Sequence, residues 1–410
     1  MNSLFLFSLI CFLSPFLFGG KGWNQFRGDT AQGHADASLP TLWSPGSKNI
    51  KWRTIIPGKA WSSPILADGN IIISNARNSG IGEKVILETL CLNASSGEVI
   101  WQKPLFSYSS LPRIHRKNSY ASPTPFYDGN YIFVHFGNLG TVCLNKNGDI
   151  IWKKIFEYNP VHGSGCSPVV YGNSLFFSAD GADDPCFYSI DKLTGRILWK
   201  AMRNTQSKKT FSFCTPLLVP RGNSIQIISP ASDYVFSYSL DGKELWRSNY
   251  PGGYSVVPRP VYHDGVVFVS SGYDRSTLYA IKVDGYGDVT NSKILWQTSK
   301  SVPRNSSFII ANDLLFMAAD NGVVSCLDVK TGDLIWMERV GGSCSSSLLF
   351  ANELIYLTDE TGETFIFDAK ENFRLKFQNK LGERTLASHM VLEHSILIRT
   401  ENAVYRIDHN

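Results

Sequence analysis

Five segments of this chain close in the same way: LNASSGEVIW, LNKNGDIIW, IDKLTGRILW, SLDGKELW and LDVKTGDLIW each run through a turn into apolar residues and a tryptophan. A sixth, VDGYGDVTNSKILW, diverges in its turn but still ends on Trp296. Counted from Trp52, the tryptophans fall at 101, 152, 199, 246, 296 and 336, in steps of 40 to 51 residues. A recurrence of that length marks a propeller or a solenoid, because one unit cannot bury its apolar face alone and must stack on its neighbours.

Apolar residues alternate with period two inside each unit, and no sustained helical spacing appears. Between residues 61 and 103, SSPILADG, NIIISNA, ILETLCLN and GEVIWQK read as four strands punctuated by turns. Four antiparallel strands per unit make a propeller blade. Gly242 and Gly332 sit where the third strand turns into the fourth, and supply the positive φ of a tight hairpin. First strands recur near residues 62, 121, 166, 214, 258, 306, 346 and 388. The expectation is an all-β chain, a single eight-bladed β-propeller of four-stranded blades. The eighth unit shows three strands, and the orphan NIKWRT at 49–54 supplies the fourth. Pairing this N-terminal strand with the C-terminal blade closes the ring and hides its edges. In the seventh unit ENFRLKF puts Lys376 or Phe377 in the tryptophan slot.

With 43% hydrophobic and 18% charged residues the chain can fill a large core, and its net charge of +4 is scattered rather than blocked, so nucleic acid is set aside. Leu4 to Phe18 is an uninterrupted apolar run containing Pro15, short for a membrane span and suited to a secretory signal. Residues 1–20 are therefore read as a signal peptide, 21–47 as an extension packing on the propeller, and 48–410 as the propeller itself. An uncleaved anchor is the alternative, because Met1-Asn2-Ser3 carries no cation and no small-x-small site precedes Lys21. Ile10, before Cys11, is too large for a lipid-modified cysteine. Export to the periplasm or the extracellular envelope follows. The eight cysteines form no adjacent pair and no CxxC; Cys91, Cys143 and Cys326 occupy one repeated slot and Cys166, Cys214 and Cys344 another, as small buried thiols would.

The repeats, of the form (D)xxTGxxxW, resemble the PQQ repeat of quinoprotein alcohol dehydrogenase-like propellers, over residues 40 to 410. WNQFRGDTAQGHAD, HRKNSYASPTP, PVHGSGCSP and GERTLAS are similar to a narrower group of secreted bacterial PQQ-binding-like, BamB-like propellers of unassigned function. The resemblance implies eight blades, with Trp52, Trp101, Trp152, Trp199, Trp246, Trp296 and Trp336 docking between neighbours. It also implies PQQ with calcium as a cofactor of the enzymatic members, where a carboxylate base sits beside the metal. This chain lacks the adjacent-cysteine pair of those enzymes and has little room for the insertions that roof their site. No catalytic residue, cofactor or metal is assigned. GxSxG, HExxH and P-loop patterns are missing from the sequence. Asp180, Asp183 and Asp184 in DGADDP offer oxygen ligands for calcium, against the plainer reading of a solvated loop. The favoured function is a non-catalytic binding or scaffold protein of the envelope. A PQQ-dependent oxidoreductase is one alternative; a hydrolase or lyase using His115 or His162 as base is another.

The segments that lead into each first strand cross one face of a propeller and end at its central channel. Read in every unit, that slot contributes Trp61, His115, Lys117, Asn118, His162, Phe213, Tyr254, Arg259, Arg304, Arg384 and His389. Such a ring suits an anionic ligand, whether an acidic sugar, a carboxylate, a polysaccharide or the extended terminus of an envelope protein, bound by a monomeric propeller. Ser62, Ser122, Ser167 and Ser346 fit the plainer task of satisfying crowded backbone groups. Glu383 and Asp274 are candidates to neutralise Lys117, Arg259 and Arg384, while Arg113 and Arg116 are expected to point elsewhere.

Overall fold

The computed structural model describes residues 22–47, 49–80 and 84–409; the expected leader lies outside them. Eight antiparallel sheets follow one another around a ring. Blade 1 is built from Ile65–Ala67, Asn70–Asn78, Val85–Asn93 and Val99–Tyr108. Its second and third strands are buried on both faces, because a blade is sandwiched between its neighbours, and they read as near-continuous apolar runs. Blade 8 contributes Met390–Leu392, Ser395–Arg399 and Ala403–Ile407, and Ile50–Ile55 pairs antiparallel with the last of these, Ile50 opposite Ile407 and Ile55 opposite Ala403. The ring closes as the orphan strand requires.

The repeat's tryptophan and its glycine are two halves of one joint between blades. Trp296 donates its indole N–H to Val329 O of the next blade at 3.1 Å, and its ring lies against Gly332, where a Cβ would approach Trp296 Cδ2 to 2.6 Å. Trp52, Trp152, Trp199 and Trp336 make the equivalent bonds to Ala94, Lys192, Leu240 and Lys370. Trp101 packs against Gly148. Trp246 departs from the series: it is fully buried and donates to Gln226 Oε1 of its own blade. The long VDGYGDVTNSK turn explains this, because Gly287–Asp288 folds back as a parallel strand on Glu244–Asn249 and covers the tryptophan. In blade 7 Phe377, opposite Ile366, holds the register position of tryptophan, and Lys376 does not. The seven described cysteines are free and buried.

A second set of contacts ties the blades together around the channel. Ser63 N–H donates to Thr124 Oγ1, Thr124 to Ser167, Ser167 to Thr215, Ser307 to Ser347, Ser347 to Ser388, and Ser388 back to Ser63, at 2.9 to 3.2 Å. Each hydroxyl satisfies an amide that a crowded inner strand leaves without a ladder partner. In blade 5 the slot holds Arg259, whose own N–H continues the series to Ser307 Oγ at 2.9 Å.

The segment from Gly22 to Trp43 runs over the opposite ends of the first strands and fills the floor of the channel. Leu66 N–H donates to Trp23 O and Tyr127 N–H to Asn24 O, both at 2.8 Å, while Asn24 Nδ2 returns a bond to Tyr127 O. His34–Ala35 adds a parallel strand to blade 7, and Leu39 and Trp43 pack into the apolar core of blades 7, 8 and 1.

Candidate binding site at the channel mouth

All eight leading segments converge on one funnel with a cavity volume of about 640 Å³. Phe26, from the N-terminal segment, forms part of its base, so the channel opens at this end only onto the face built by those segments. Of the residues proposed from sequence, Trp61, His115, Lys117, Asn118, His162, Phe213, Tyr254 and Arg304 line this funnel.

One wall is an aromatic arc. His115, His162, Phe211, Tyr254 and Tyr273 follow each other with ring centroids 5.8, 5.2, 5.6 and 6.1 Å apart. Cations lie against it: Lys209 Nζ stands 4.0 Å from the Tyr254 ring centroid and donates to its hydroxyl at 2.7 Å, and Arg304 sits 4.9 Å over Tyr273. Such contacts hold a cation at a partly desolvated surface without neutralising it. Burial keeps His115 and His162 below the ordinary imidazole value, and His162, Arg116 and Lys117 depress His115 further by like-charge repulsion.

The opposite wall is spanned by an ion pair. Lys117 Nζ, from blade 2, meets Glu360 Oε1, from blade 7, at 2.6 Å, and Ser345 Oγ donates to the same oxygen at 2.7 Å. Arg384 lies 4.0 Å from Glu360 Oε2 and 5.4 Å over the Trp61 ring. The carboxylate serving Lys117 and Arg384 is thus Glu360, since Glu383 pairs with Arg53 and Asp274 with Lys209 and Tyr254. Asn118 is used locally: its Nδ2 donates to His162 O at 2.9 Å and ties the loops of blades 2 and 3.

Three expectations are corrected. Arg259 is not at the mouth; it is 1% exposed and points down the channel, donating to Phe26 O at 2.6 Å, Gln25 Oε1 at 3.3 Å and Pro216 O at 3.1 Å. His389 is buried between strands, with Nε2 2.7 Å from Thr358 Oγ1, because its neighbour Ser388 takes the channel-facing position. Arg116, expected to point away, lines the funnel. Asp180 is equally committed, gripped by Arg203 through Nε at 2.7 Å and Nη2 at 2.9 Å in full burial, which removes it from any calcium set. Ser62 and Ser346 donate to backbone carbonyls of Ser74 and Thr358, and Ser167 receives an amide, as the backbone-satisfying reading required. Lys209, Phe211 and Tyr273 were not singled out; only their place in the leading segments and adjoining loops marks them.

The chain matches the family described as outer membrane protein assembly factor BamB, over residues 88–287 and 283–391. It belongs to that family. A curated BamB-family relative, the outer membrane protein assembly factor BamB of Shewanella oneidensis, is 26% identical over 257 residues, which are 58% of this chain and 57% of the relative. The chain thus spans little more than half the length of that relative. Among solved structures, BamB from Moraxella catarrhalis superposes with a TM-score of 0.62 at 12% identity, covering 87% of this chain and 99% of the other. The quinohemoprotein alcohol dehydrogenase of Comamonas testosteroni superposes at 0.67 with 10% identity, covering 94% of this chain and 80% of the other. At these identities both speak for the fold.

The BamB family's fold is shared with quinone enzymes, so the funnel's donor set matters. The carboxylates at the funnel are already engaged: Asp320 has both oxygens taken, by Arg304 N–H at 3.0 Å and Asn305 Nδ2 at 2.7 Å, Glu360 is held by Lys117 and Ser345, and Asp274 by Lys209. Calcium takes about six to eight oxygen ligands. These residues do not suit a calcium-bound quinone.

Proposed function

We propose that this chain is an exported, non-catalytic propeller that holds an anionic ligand, free or carried by an envelope partner, at the mouth of its channel. The observation that carries the reading is the charge of the funnel: Arg116, Lys117, Lys209, Arg304 and the neighbouring Arg384 outnumber the carboxylates within reach, which are Asp320 in the lining, Glu360 on Lys117 and Asp274 on Lys209. A one-ended cleft with an excess of one sign of charge concentrates ligands of the other. Family membership and the apolar N-terminal run support a role at the envelope.

Calorimetric titration with galacturonate and citrate at low ionic strength tests it. The expected result is one-to-one binding that weakens at least tenfold in the Lys209→Ala/Arg304→Ala variant and declines with added salt. Failure of every anion to bind, monomeric or polymeric, overturns it.

A further inference from the structure

The funnel wall continues into two grooves on the same face. One, of about 270 Å³ at the junction of blades 1 and 2, shares His115, Arg116 and Asn118 with the funnel and adds Lys59 and Asn78. The other, of about 350 Å³ at the junction of blades 5 and 6, shares Arg304 and Asp320 and adds Arg275, Ser276, Ser299 and Asn321. In a ring of eight these junctions are four steps apart, on opposite sides of the channel. Groove, funnel and groove therefore lie along one diameter.

We infer that the three cavities form a single path for a linear acidic polysaccharide laid across the mouth. This rests on the anionic-ligand reading above and adds to it the class and extent of the ligand. A peptide bound in extended form pairs its backbone with an open strand edge and seats alternate side chains in separate pockets, and the mouth is built from loops rather than from a strand edge. Here the funnel's aliphatic members are Val257 and Leu386, and most of the rest of its wall is hydroxyls, carboxamides, aromatic rings and cations, with the Asp320 carboxylate among them. A sugar ring offers the complement, hydroxyls around its edge and a C–H face for rings such as Trp61, Phe211 and Tyr273. The charge is uneven along the path. Lys59 and Arg116 line the first groove without a carboxylate, whereas Asp274 and Asp320 accompany Arg275 and Arg304 in the second. Acid groups of the polymer belong in the funnel and the first groove, and hydroxyls in the second.

Oligogalacturonates of two, four and eight units, titrated into the full chain at low salt, test the path. Affinity is expected to rise at least tenfold from dimer to octamer. The Asn78→Ala/Arg275→Ala variant, whose two side chains line the grooves and not the funnel, should lose about fivefold for the octamer and nothing for the dimer. Equal affinity at two and eight units sinks the path while leaving the mouth as an anion site. Tighter binding of a ten-residue polyglutamate than of the octamer overturns the polysaccharide class. Absence of binding at every length, with galacturonate and citrate also inert, removes the mouth reading itself.

Discussion

The Arg259 guanidinium donates to the carbonyl of Phe26 at 2.6 Å, joining blade 5 to the segment that fills the channel floor. Arg259 and Arg27 are both buried; burial, with the nearby charge of Arg259 adding to it, pushes Arg27 down to about 9, and burial pushes Arg259 to about 10. Replacing Arg259 by Met strips donors from Phe26 O and Pro216 O, each worth about 1–3 kcal/mol when left unsatisfied. The expected outcome is a loss of about 3 kcal/mol and faster hydrogen exchange from Gly22 to Ala35, with the second and third strands of the blades protected as before. Unchanged exchange in that segment would show that the floor holds without the arginine.

Glycines in the repeat separate two costs that usually travel together. Gly172 and Gly332 both have positive φ, +58° and +76°, but a Cβ on Gly172 meets open space while one on Gly332 collides with Trp296. Gly172→Ala should cost about 1 kcal/mol, the left-handed backbone penalty alone. Gly332→Ala should cost about 3 kcal/mol or more, because the indole must shift and carry its bond to Val329 with it. Urea titration of both variants decides. Equal losses would mean that the tryptophan joint is loose.

The ring of blades and its closure were legible because repeated tryptophans and period-two runs are local signals that survive without tertiary context. The leading segments were legible for the same reason, and eight of the named side chains do line the funnel. Arg259 was misplaced because first strands alternate their side chains, and a shift of one residue decides between mouth and lumen. The signal was present: Ser63, Thr124, Ser167 and Thr215 each precede proline, and Arg259 precedes Pro260 in the same slot, a cation standing where hydroxyls belong. The floor segment was not legible. Asn24, Gln25 and Phe26 bind by backbone and amide groups to blades far away in sequence, and such contacts leave no periodicity.

Two fully buried histidines tie stability to pH. Burial lowers His135 to about 3 and His389 to about 4, from an ordinary value near 6.5. Both are neutral in the folded chain and charged in the unfolded one between those limits, so the unfolded state binds more protons and stability falls as pH drops from about 6.5 toward 4. With two protons, the slope in that window is about 2.7 kcal/mol per pH unit from these residues. Unfolding measured at pH 7, 6 and 5 should show it, and His389→Gln should remove about half. A flat profile across that range would contradict the burial of both imidazoles.

Glu360 holds Lys117 across the mouth as a ligand's acid group would, with Ser345 donating to the same oxygen. An incoming anion that uses Lys117 must therefore displace a carboxylate already in place. Neutralising that competitor while keeping its shape frees the cation, and a charge-assisted bond of this kind contributes about 1 kcal/mol in a partly exposed setting. Glu360→Gln is expected to tighten galacturonate binding about threefold to tenfold, and Lys117→Ala to weaken it by a similar factor. In the double variant the gain should vanish, because no freed lysine remains to be used. If Glu360→Gln weakens binding instead, Glu360 orients Lys117 for the ligand rather than competing with it, and the mouth is already open when the ligand arrives.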